Sequence, residues 1–332
     1  MRKAIVGVVA ALIVSACSTG TIVTTAVAPT TPMTTTTTTA PTTTAAAPTT
    51  TTLASPFPTT VTAANGTVEI QETPNAIVSL SPTATEMLFA IGAGDQVVAV
   101  DDQSNYPDTA PVTDLTGFSP NVEAIVAYDP DLVVITFDPG DLVASLDSLG
   151  IPVLLDPAAA SIEDVYDQIG QLGTATGHQQ EALDLVDRMS SDIDQILLDT
   201  ASSIPDGQNL TYYFELDPTY YSVTSSTFIG QLVGMLGLEN IADPADADGF
   251  GYPQLSAEYI LDADPDLIFL ADTKCCGQSP ERVAERPGWD NLTAVTDGNV
   301  FALDDDVASR WGPRIVDFLD TIANAVRQVT HP

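Results

Sequence analysis

Carboxylates are the side chains of this sequence that could most readily do chemistry, and one run of three stands out among them. Asp304, Asp305 and Asp306 end a predicted strand and precede Arg310 and Trp311. The run is a weak calcium loop, because it lacks the glycine and the spaced ligands of such a loop. Most other carboxylates are expected to form a solvated acidic surface, although an acid–base pair of the glycosidase kind among them stays open.

The motifs of nucleophilic and phosphate chemistry are missing from the sequence. It has no GxSxG, GxxxxGK[ST] or SxxK segment, and its two histidines are His178 and His331. One lies in a predicted helix and the other at the C-terminus, so no Ser–His or Cys–His dyad and no zinc site is credible. We therefore expect no catalytic residue, no metal site and no cofactor.

Residues that follow predicted strands are better candidates, because they could bind a ligand. Ser81, Pro82, Thr83 and Ala84 follow one strand and open a helix. The backbone amides of this segment could face a ligand, Ser81 could simply cap the helix, or both. The aromatic candidates lie in loops after strands or beside Arg310, and they are Phe118, Tyr220, Tyr221 and Trp311.

The elements that must position these residues are arranged around one long predicted helix, residues 176–200. Apolar residues recur along it at helical spacing, and no proline interrupts it. Thr176 and Gln179 have the spacing of a capping box at its start.

Sequences on the two sides of this helix resemble each other. Residues 121–135 (NVEAIVAYDPDLVVI) are similar to residues 255–270 (LSAEYILDADPDLIFL), and residues 85–100 are similar to residues 228–243. This similarity predicts an internal duplication, with two related lobes joined by the helix. The cleft between two lobes is a favoured place for a small-molecule site.

Short apolar strands alternate with helices in both halves of the chain. The predicted strands are residues 76–80, 97–100, 132–136 and 153–155 in the first half, and residues 211–215, 267–270 and 300–303 in the second. A final helix is predicted over residues 311–329. The alternation predicts an α/β fold, in which parallel sheets are covered by helices.

The first 17 residues have the pattern of a bacterial export signal. Arg2 and Lys3 precede an apolar run that is too short to cross a bilayer. The run ends in Val-Ser-Ala-Cys, which resembles the lipobox of bacterial lipoproteins. This resemblance implies that Cys17 is lipidated and anchors the chain at the outer face of the cell membrane; an ordinary secretory signal is the alternative.

The composition after the signal divides the rest of the chain. Residues 18–65 are rich in threonine, alanine and proline, which predicts a disordered tether without a core. The folded part is expected to comprise an N-terminal lobe, a linking helix and a C-terminal lobe, at residues 66–173, 174–203 and 204–332.

The charge of the chain restricts its partners. The formal net charge is -36, which argues against nucleic acid and anionic lipid surfaces. There is no lysine or arginine between Lys3 and Arg188, so the first lobe has no cation. We therefore expect a neutral or cationic ligand rather than a highly charged anionic one.

Two cysteines remain after Cys17, and they are neighbours. Cys275 and Cys276 lie in a turn-like stretch. Their Cα atoms must be about 3.8 Å apart, which is below the usual disulfide range. Exported proteins nevertheless meet oxidising conditions, so a vicinal disulfide and two packed thiols both stay open.

Four segments of the sequence resemble a known family. They are IVSLSPTATEMLFAIGAG (77–94), SNYP (104–107), PNVEAIVAYDPDLV (120–133) and WGPRI (311–315). Together they are similar to substrate-binding proteins of ABC importers for cobalamin and ferric siderophores. The resemblance implies two Rossmann-like lobes with parallel sheets, joined by one long α-helix, as in class III periplasmic binding proteins.

The resemblance also implies roles for individual residues. Glu123 matches a first-lobe glutamate that docks into the permease, whereas Ser226 occupies the matching position of the second lobe. Glu258, which the internal repeat pairs with Glu123, is a substitute candidate. The matches to ligand-contacting positions are Ser81 to Ala84, Asp306 and Arg310; Phe118 lies beside a position held by tryptophan in a relative, and Gln103 replaces a tyrosine.

These observations predict a monomeric solute-binding lipoprotein without enzymatic activity. It would capture a metal chelate, either a corrinoid or a ferric siderophore, and deliver it to an ABC permease and its ATPase. One alternative is a sensory or adhesion lipoprotein that binds a ligand without transport. Another is a cell-surface hydrolase on the same scaffold.

Overall fold

The computed structural model describes residues 56–205 and 207–331, which form two lobes around parallel sheets. An N-terminal hairpin comes first, formed by β1 (Thr59–Ala63) and β2 (Gly66–Ile70). The N-terminal lobe contains β3 (Ile77–Leu80), α1 (Pro82–Ala90), β4 (Val97–Val100), α2 (Val122–Val126), β5 (Leu132–Ile135), α3 (Leu142–Asp147), β6 (Val153–Leu155) and α4 (Ile162–Thr176). The linking helix is α5 (Gln179–Ser203).

The C-terminal lobe repeats this alternation. Its elements are β7 (Thr211–Glu215), α6 (Phe228–Gly234), β8 (Glu239–Asn240), α7 (Ala257–Ala263), β9 (Leu267–Leu270), α8 (Thr273–Cys276), α9 (Pro280–Ala284), α10 (Thr293–Thr296), β10 (Val300–Ala302), α11 (Asp305–Ser309) and α12 (Ile315–Thr330). The strand order is β4-β3-β5-β6 in one sheet and β8-β7-β9-β10 in the other. All pairings within both sheets are parallel, which confirms the predicted fold class.

Two aspartates make similar hydrogen bonds in the two lobes, as the predicted internal duplication would require. The carboxylate of Asp131, just before β5, accepts the amides of Asn75 (2.8 Å) and Ala76 (3.0 Å). Asp266, just before β9, accepts the amide (2.8 Å) and the hydroxyl (2.9 Å) of Thr211. Each aspartate therefore ties the start of one central strand to its neighbour, and the repeated Asp-Pro-Asp-Leu sequence has the same structural role in both lobes.

The linking helix was predicted correctly, but its start was not. Thr176 is the last residue of α4, and Gly177 adopts a left-handed conformation (φ 82°) that ends that helix. The predicted capping box of Thr176 and Gln179 is therefore wrong, because a glycine turn separates the two residues. A capping box is found instead at the start of α4, between Ser161 and Asp164.

The apolar stripe of α5 packs against helices of both lobes. Its buried residues include Ala182, Met189 and Ile193, in a core shared with α4 and α12. The final helix begins at Ile315 rather than at residue 311, and its predicted apolar face is buried. Neither α5 nor any other helix described at residues 56–205 and 207–331 has the length and apolar character to cross a membrane.

The fold begins earlier than the sequence suggested. Strand β1 lies within the range predicted as tether, and it pairs in antiparallel register with β2. Val61 of β1 and Ile70 of β2 are buried in the core, and the amide of Ala64 bonds the carbonyl of Leu155 at the end of β6. The hairpin thus belongs to the N-terminal lobe.

Candidate functional site

A cavity of about 240 Å³ lies where the carboxyl ends of the N-terminal strands meet a segment of the C-terminal lobe. Such strand ends are where open α/β sheets bind ligands. The first lobe contributes residues at or after the ends of β3, β4 and β5, and the second contributes residues from α11 and the turn after it. The lining residues are Leu80, Ser81, Pro82, Thr83, Asp101, Gln103, Gly117, Phe118, Thr136, Phe137, Asp306, Ser309, Arg310 and Trp311.

Most of the predicted ligand residues therefore come together, but three do not line this cavity. The amide of Ala84 donates to the hydroxyl of Ser81 (3.2 Å), so it is used in capping α1. Tyr220 stacks on Trp289, with ring centroids 5.7 Å apart. Tyr221 forms an isolated bridge with Gln254. Both tyrosines thus contact residues of the second lobe, whereas the sequence predicted that they would contact the ligand.

The floor of the cavity is a network of buried hydroxyls around Ser81. The hydroxyl of Thr136 donates to the Ser81 hydroxyl at 2.7 Å, which holds the end of β5 against the start of α1. The hydroxyl of Ser104 donates to Oδ1 of Asp101 at 2.5 Å. Burial raises the pKa of Asp101, and the bond from Ser104 acts in the opposite direction. Ser81 thus both caps α1 and lines the cavity.

Gly117 lets the chain pass close to this floor. A Cβ atom at this position would lie 2.7 Å from the carbonyl oxygen of Leu80 and 3.0 Å from Oδ2 of Asp101. Both distances are too short for an ordinary carbon contact, so only glycine fits here without a shift of the backbone.

Arg310 and Arg314 connect the two lobes through one buried carboxylate. Glu86 of α1 has a side chain that is 1% exposed, and its Oε1 accepts from Arg310 at 2.8 Å. Arg314 binds the same carboxylate through both oxygens, with Nε 2.9 Å from Oε2 and Nη2 2.5 Å from Oε1. Arg314 also lies over the ring of Tyr106, 4.2 Å from its centroid. We name this group of Glu86, Arg310 and Arg314 the inter-lobe clamp.

Asp306 extends the contact between the lobes along the cavity. It accepts from Arg310 (3.0 Å), from Asn105 of the first lobe (3.1 Å) and from Lys274 (2.8 Å). Burial alone would raise the pKa of Asp306, but these partners outweigh it and hold the pKa below its usual value. Nη2 of Arg310 also donates to the carbonyl of Gln103 at 2.9 Å, so both terminal nitrogens of its guanidinium are bound by protein acceptors.

Aromatic rings form the apolar part of the site. Phe118 and Phe137 stack with centroids 5.8 Å apart, and they remain 69% and 51% exposed. Trp311 is held by a hydrogen bond from its indole nitrogen to Oε1 of Gln168 (3.1 Å). Sequence reasoning missed Thr136 and Phe137, although the first ends a predicted central strand and the second directly follows it, which was the available signal.

A second polar cluster is buried at the carboxyl ends of β7 and β9. Glu215 is paired with Arg286 by two bonds of 2.6 and 2.5 Å, and Arg286 also donates to Gln278 (2.8 Å). Both carboxylate oxygens of Asp272 are buried without a hydrogen-bond partner. Burial, and then the charge of Glu215, raise the pKa of Asp272 to about 7. Asp272 is therefore protonated in the folded protein at mildly acidic pH.

This protonation predicts a pH-dependent stability. Burial also raises the pKa of Asp156 to about 7. Because both groups bind protons more tightly when folded, the free energy of unfolding should fall as pH rises from 5 towards 8, by up to about 1.4 kcal/mol per unit for each group. Asp156→Asn and Asp272→Asn should each flatten this slope in urea titrations, whereas Asp187→Asn on the exposed face of α5 should leave it unchanged. A slope identical in all variants would contradict the assignment.

A larger groove of about 570 Å³ runs between β1, α4 and α5. Its lining contains one charged residue, Asp167, and no residue of the second sheet. We therefore place the candidate ligand site in the inter-lobe cavity. Within the two described ranges, no group of three histidine, cysteine or acidic side chains is arranged to hold a metal ion.

The comparison with known families agrees with this architecture. Residues 77–307 match the family described as periplasmic binding protein. The match covers more than half of the chain, so the chain belongs to the periplasmic binding protein family. This membership confirms the predicted resemblance to substrate-binding proteins of ABC transporters.

Two relatives and one solved structure show which individual proteins this chain resembles. The uncharacterised ABC transporter substrate-binding lipoprotein YvrC of Bacillus subtilis is 32% identical over 278 residues, covering 81% of this chain and 86% of that protein. A cobalamin-binding protein of Halobacterium salinarum is 31% identical over 277 residues, covering 81% and 73%. The crystal structure of a possible iron-binding (periplasmic solute-binding) protein from Staphylococcus epidermidis superposes with a TM-score of 0.65 at 26% identity, covering 77% of this chain and 99% of that one.

Proposed function

We propose that this chain is an extracytoplasmic lipoprotein that captures a metal chelate and delivers it to an ABC permease. The observation that carries the proposal is the inter-lobe cavity, which combines stacked aromatic rings with a polar floor at the carboxyl ends of the strands. Relatives that bind cobalamin support a corrinoid, and one described as a possible iron-binding protein supports a ferric siderophore. The chain would act as a monomer and carry out no reaction.

The size of the cavity suggests how such a ligand would sit. A volume of about 240 Å³ is smaller than the roughly 300–1,000 Å³ of ordinary small-molecule sites, and a corrinoid is larger than many of their ligands. We propose that one edge of the chelate enters the cavity, while its apolar face lies over the exposed rings of Phe118 and Phe137. Binding would then bury apolar surface that is exposed to solvent in the free protein.

The charges around the cavity favour a neutral or cationic ligand. Arg310 and Arg314 are bound by Glu86, and Lys274 is bound by Asp304 and Asp306. An anionic chelate would have to compete with these carboxylates for each cation. This supports the charge preference that the sequence predicted.

Calorimetric titration of residues 18–332 tests the proposal. The protein would be titrated with cobalamin and with neutral, cationic and anionic ferric siderophores. Tight one-to-one binding of a neutral or cationic chelate is expected. A preference for an anionic chelate would overturn the charge argument, and binding of none would favour a sensory or adhesion role or a smaller solute.

Truncation of the exposed aromatic pair should weaken that binding. Phe118→Ala or Phe137→Ala removes apolar surface that the ligand would cover, so affinity should fall about tenfold, or by about 1.4 kcal/mol. Leu198→Ala removes an equally exposed apolar side chain from α5 and should have no effect. Equal affinities in all three variants would place the ligand elsewhere.

Docking to the permease is proposed to involve one glutamate from each lobe. Glu123 and Glu258 are both exposed and both lie in the first turn of a short helix, α2 and α7. Glu123→Lys should preserve ligand affinity but impair cellular uptake, because a like charge would face the basic surface of the permease. Glu163→Lys, in the first turn of α4, is the matched control. Normal uptake by the Glu123 variant would remove that residue from the docking surface.

The membrane anchor is proposed from the sequence. Cys17 lies outside the described residues, and the lipobox-like sequence supports its lipidation. Cys17→Ser should abolish incorporation of a radiolabelled fatty acid and release the protein from the membrane fraction. Retention of the label in the variant would contradict this assignment.

A further inference from the structure

The two neighbouring cysteines lie in a turn that the proposed function leaves without a role. The structure joins Cys275 and Cys276 as a disulfide within α8. Cys275 is exposed to solvent, and Cys276 is partly buried. The amides of Cys276 and Gln278 both bond the carbonyl of Asp272, at 3.3 Å each. The disulfide is therefore part of a tight surface turn that a small reagent can reach.

This turn holds the carboxylate of Asp305 in place. The amide of Thr273 donates to its Oδ1 at 2.9 Å, and the amides of Lys274 and Cys275 donate to its Oδ2 at 2.9 and 2.8 Å. The hydroxyl of Thr273 adds a further bond to Oδ1 at 2.8 Å. Three consecutive amides can converge on one carboxylate only while α8 keeps its shape.

The residues on either side of Asp305 are also bound to the turn. The ammonium group of Lys274 lies 2.7 Å from Oδ1 of Asp304 and 2.8 Å from Oδ2 of Asp306. Asp306 lines the ligand cavity and contacts Arg310 and Asn105. All three aspartates of the run are thus bound to the turn that contains the disulfide, and Asp306 is the one that lines the cavity.

The stability of this turn depends on few interactions. Helix α8 has four residues, far fewer than the about 12–15 that an isolated helix needs to form in water. Its shape therefore depends on the disulfide, on its contacts with the aspartates and on the bonds to the carbonyls of Asp272 and Leu303. Removing the covalent link leaves those contacts as the remaining constraint.

We propose that the Cys275–Cys276 disulfide is a thiol–disulfide exchange site whose reduction by a dithiol loosens the Asp304–Asp306 run, which supplies Asp306 to the wall of the cavity. One thiolate of the reductant attacks the sulfur of Cys275, the more exposed of the two residues, the bond to Cys276 breaks, and Cys276 takes up a proton. The second thiol of the reductant then displaces Cys275, which also becomes a thiol. The reductant leaves as a disulfide, so two electrons and two protons pass to the protein. A consequence for ligand affinity rests on the proposed function; the loosening of the run does not.

Hydrogen exchange measured by mass spectrometry tests the proposal on the full chain. The protein is compared before and after treatment with dithiothreitol, and peptide masses after alkylation report the state of Cys275 and Cys276. Reduction should make amide exchange severalfold faster in residues 273–278 and 303–310, with no change in β5. The double variant Cys275→Ser, Cys276→Ser should exchange like the reduced protein and should not respond to dithiothreitol.

The possible results separate this proposal from the proposed function. Unchanged exchange at residues 303–310 in protein with two alkylated cysteines would overturn the proposal, and so would a disulfide that dithiothreitol does not reduce in the folded protein. Cobalamin affinity is measured in parallel on both forms. Faster exchange without any cobalamin binding would support the redox site and count against cobalamin as the ligand.

Discussion

Replacing Glu86 with alanine is expected to lower the free energy of unfolding by about 3–5 kcal/mol, the usual cost of removing one partner from a buried ion pair. The side chain is 1% exposed and receives three charged hydrogen bonds from Arg310 and Arg314. Without it, two arginines whose side chains are 9% and 16% exposed lose their shared counter-charge. The structure around the cavity would have to open to hydrate them.

Urea titration of three proteins measures this effect. Glu86→Gln keeps the shape of the side chain but not its charge, so it should also be destabilised. Glu181→Ala removes an exposed glutamate from α5 and should change stability by no more than about 0.5 kcal/mol. A loss below about 1 kcal/mol for Glu86→Ala, which is the range of an exposed pair, would show that the inter-lobe clamp contributes little.

Replacing Gly230 with alanine is expected to have an effect of similar size for a steric reason. A Cβ atom at this position in α6 would lie 1.9 Å from the carbonyl oxygen of Thr224 and 2.9 Å from the Cα atom of Ser225. Both are backbone atoms, so the whole loop before the helix must move. That loop holds Thr224, buried at 3% exposure, and the hydroxyl of Ser225 bonds Asp243 at 2.8 Å.

The same helix supplies the control. Gly234 has no atom within 4 Å of its hypothetical Cβ, so Gly234→Ala should be neutral, or stabilising by up to about 1 kcal/mol through helix propensity. Thermal unfolding followed by circular dichroism compares the two variants. Equal melting temperatures would mean that the loop at residues 224–226 adapts without cost.

The strands could be predicted from the sequence because their environment is simple. The residues of β3, β5 and β9 are all buried, which matches the continuous apolar runs expected of parallel strands covered on both faces. The hairpin of β1 and β2 was missed because only one residue of each strand is buried, and its threonines resemble the threonine-rich sequence that precedes it.

The candidate site could be predicted only in part, because long-range partners decide which side chains face the cavity. Arg310 was identified from the sequence. Nothing in the sequence around it indicates that its guanidinium pairs with Glu86, which lies 224 positions away. Tyr220 was placed in the cleft because it follows a strand. Its positive φ of 70° and its stacking on Trp289 instead direct it into the second lobe, and neither feature is visible in a local pattern.

The inter-lobe clamp also bears on how the protein folds. No lysine or arginine lies between Lys3 and Arg188, so the N-terminal lobe has no cation of its own to neutralise Glu86. Both guanidinium groups that do so come from residues more than 220 positions later in the chain. A separated N-terminal lobe would leave the buried carboxylate of Glu86 on α1 without a counter-charge. The two lobes therefore depend on each other for stability, and the protein is expected to unfold in a single cooperative transition although its two sheets have corresponding strand orders.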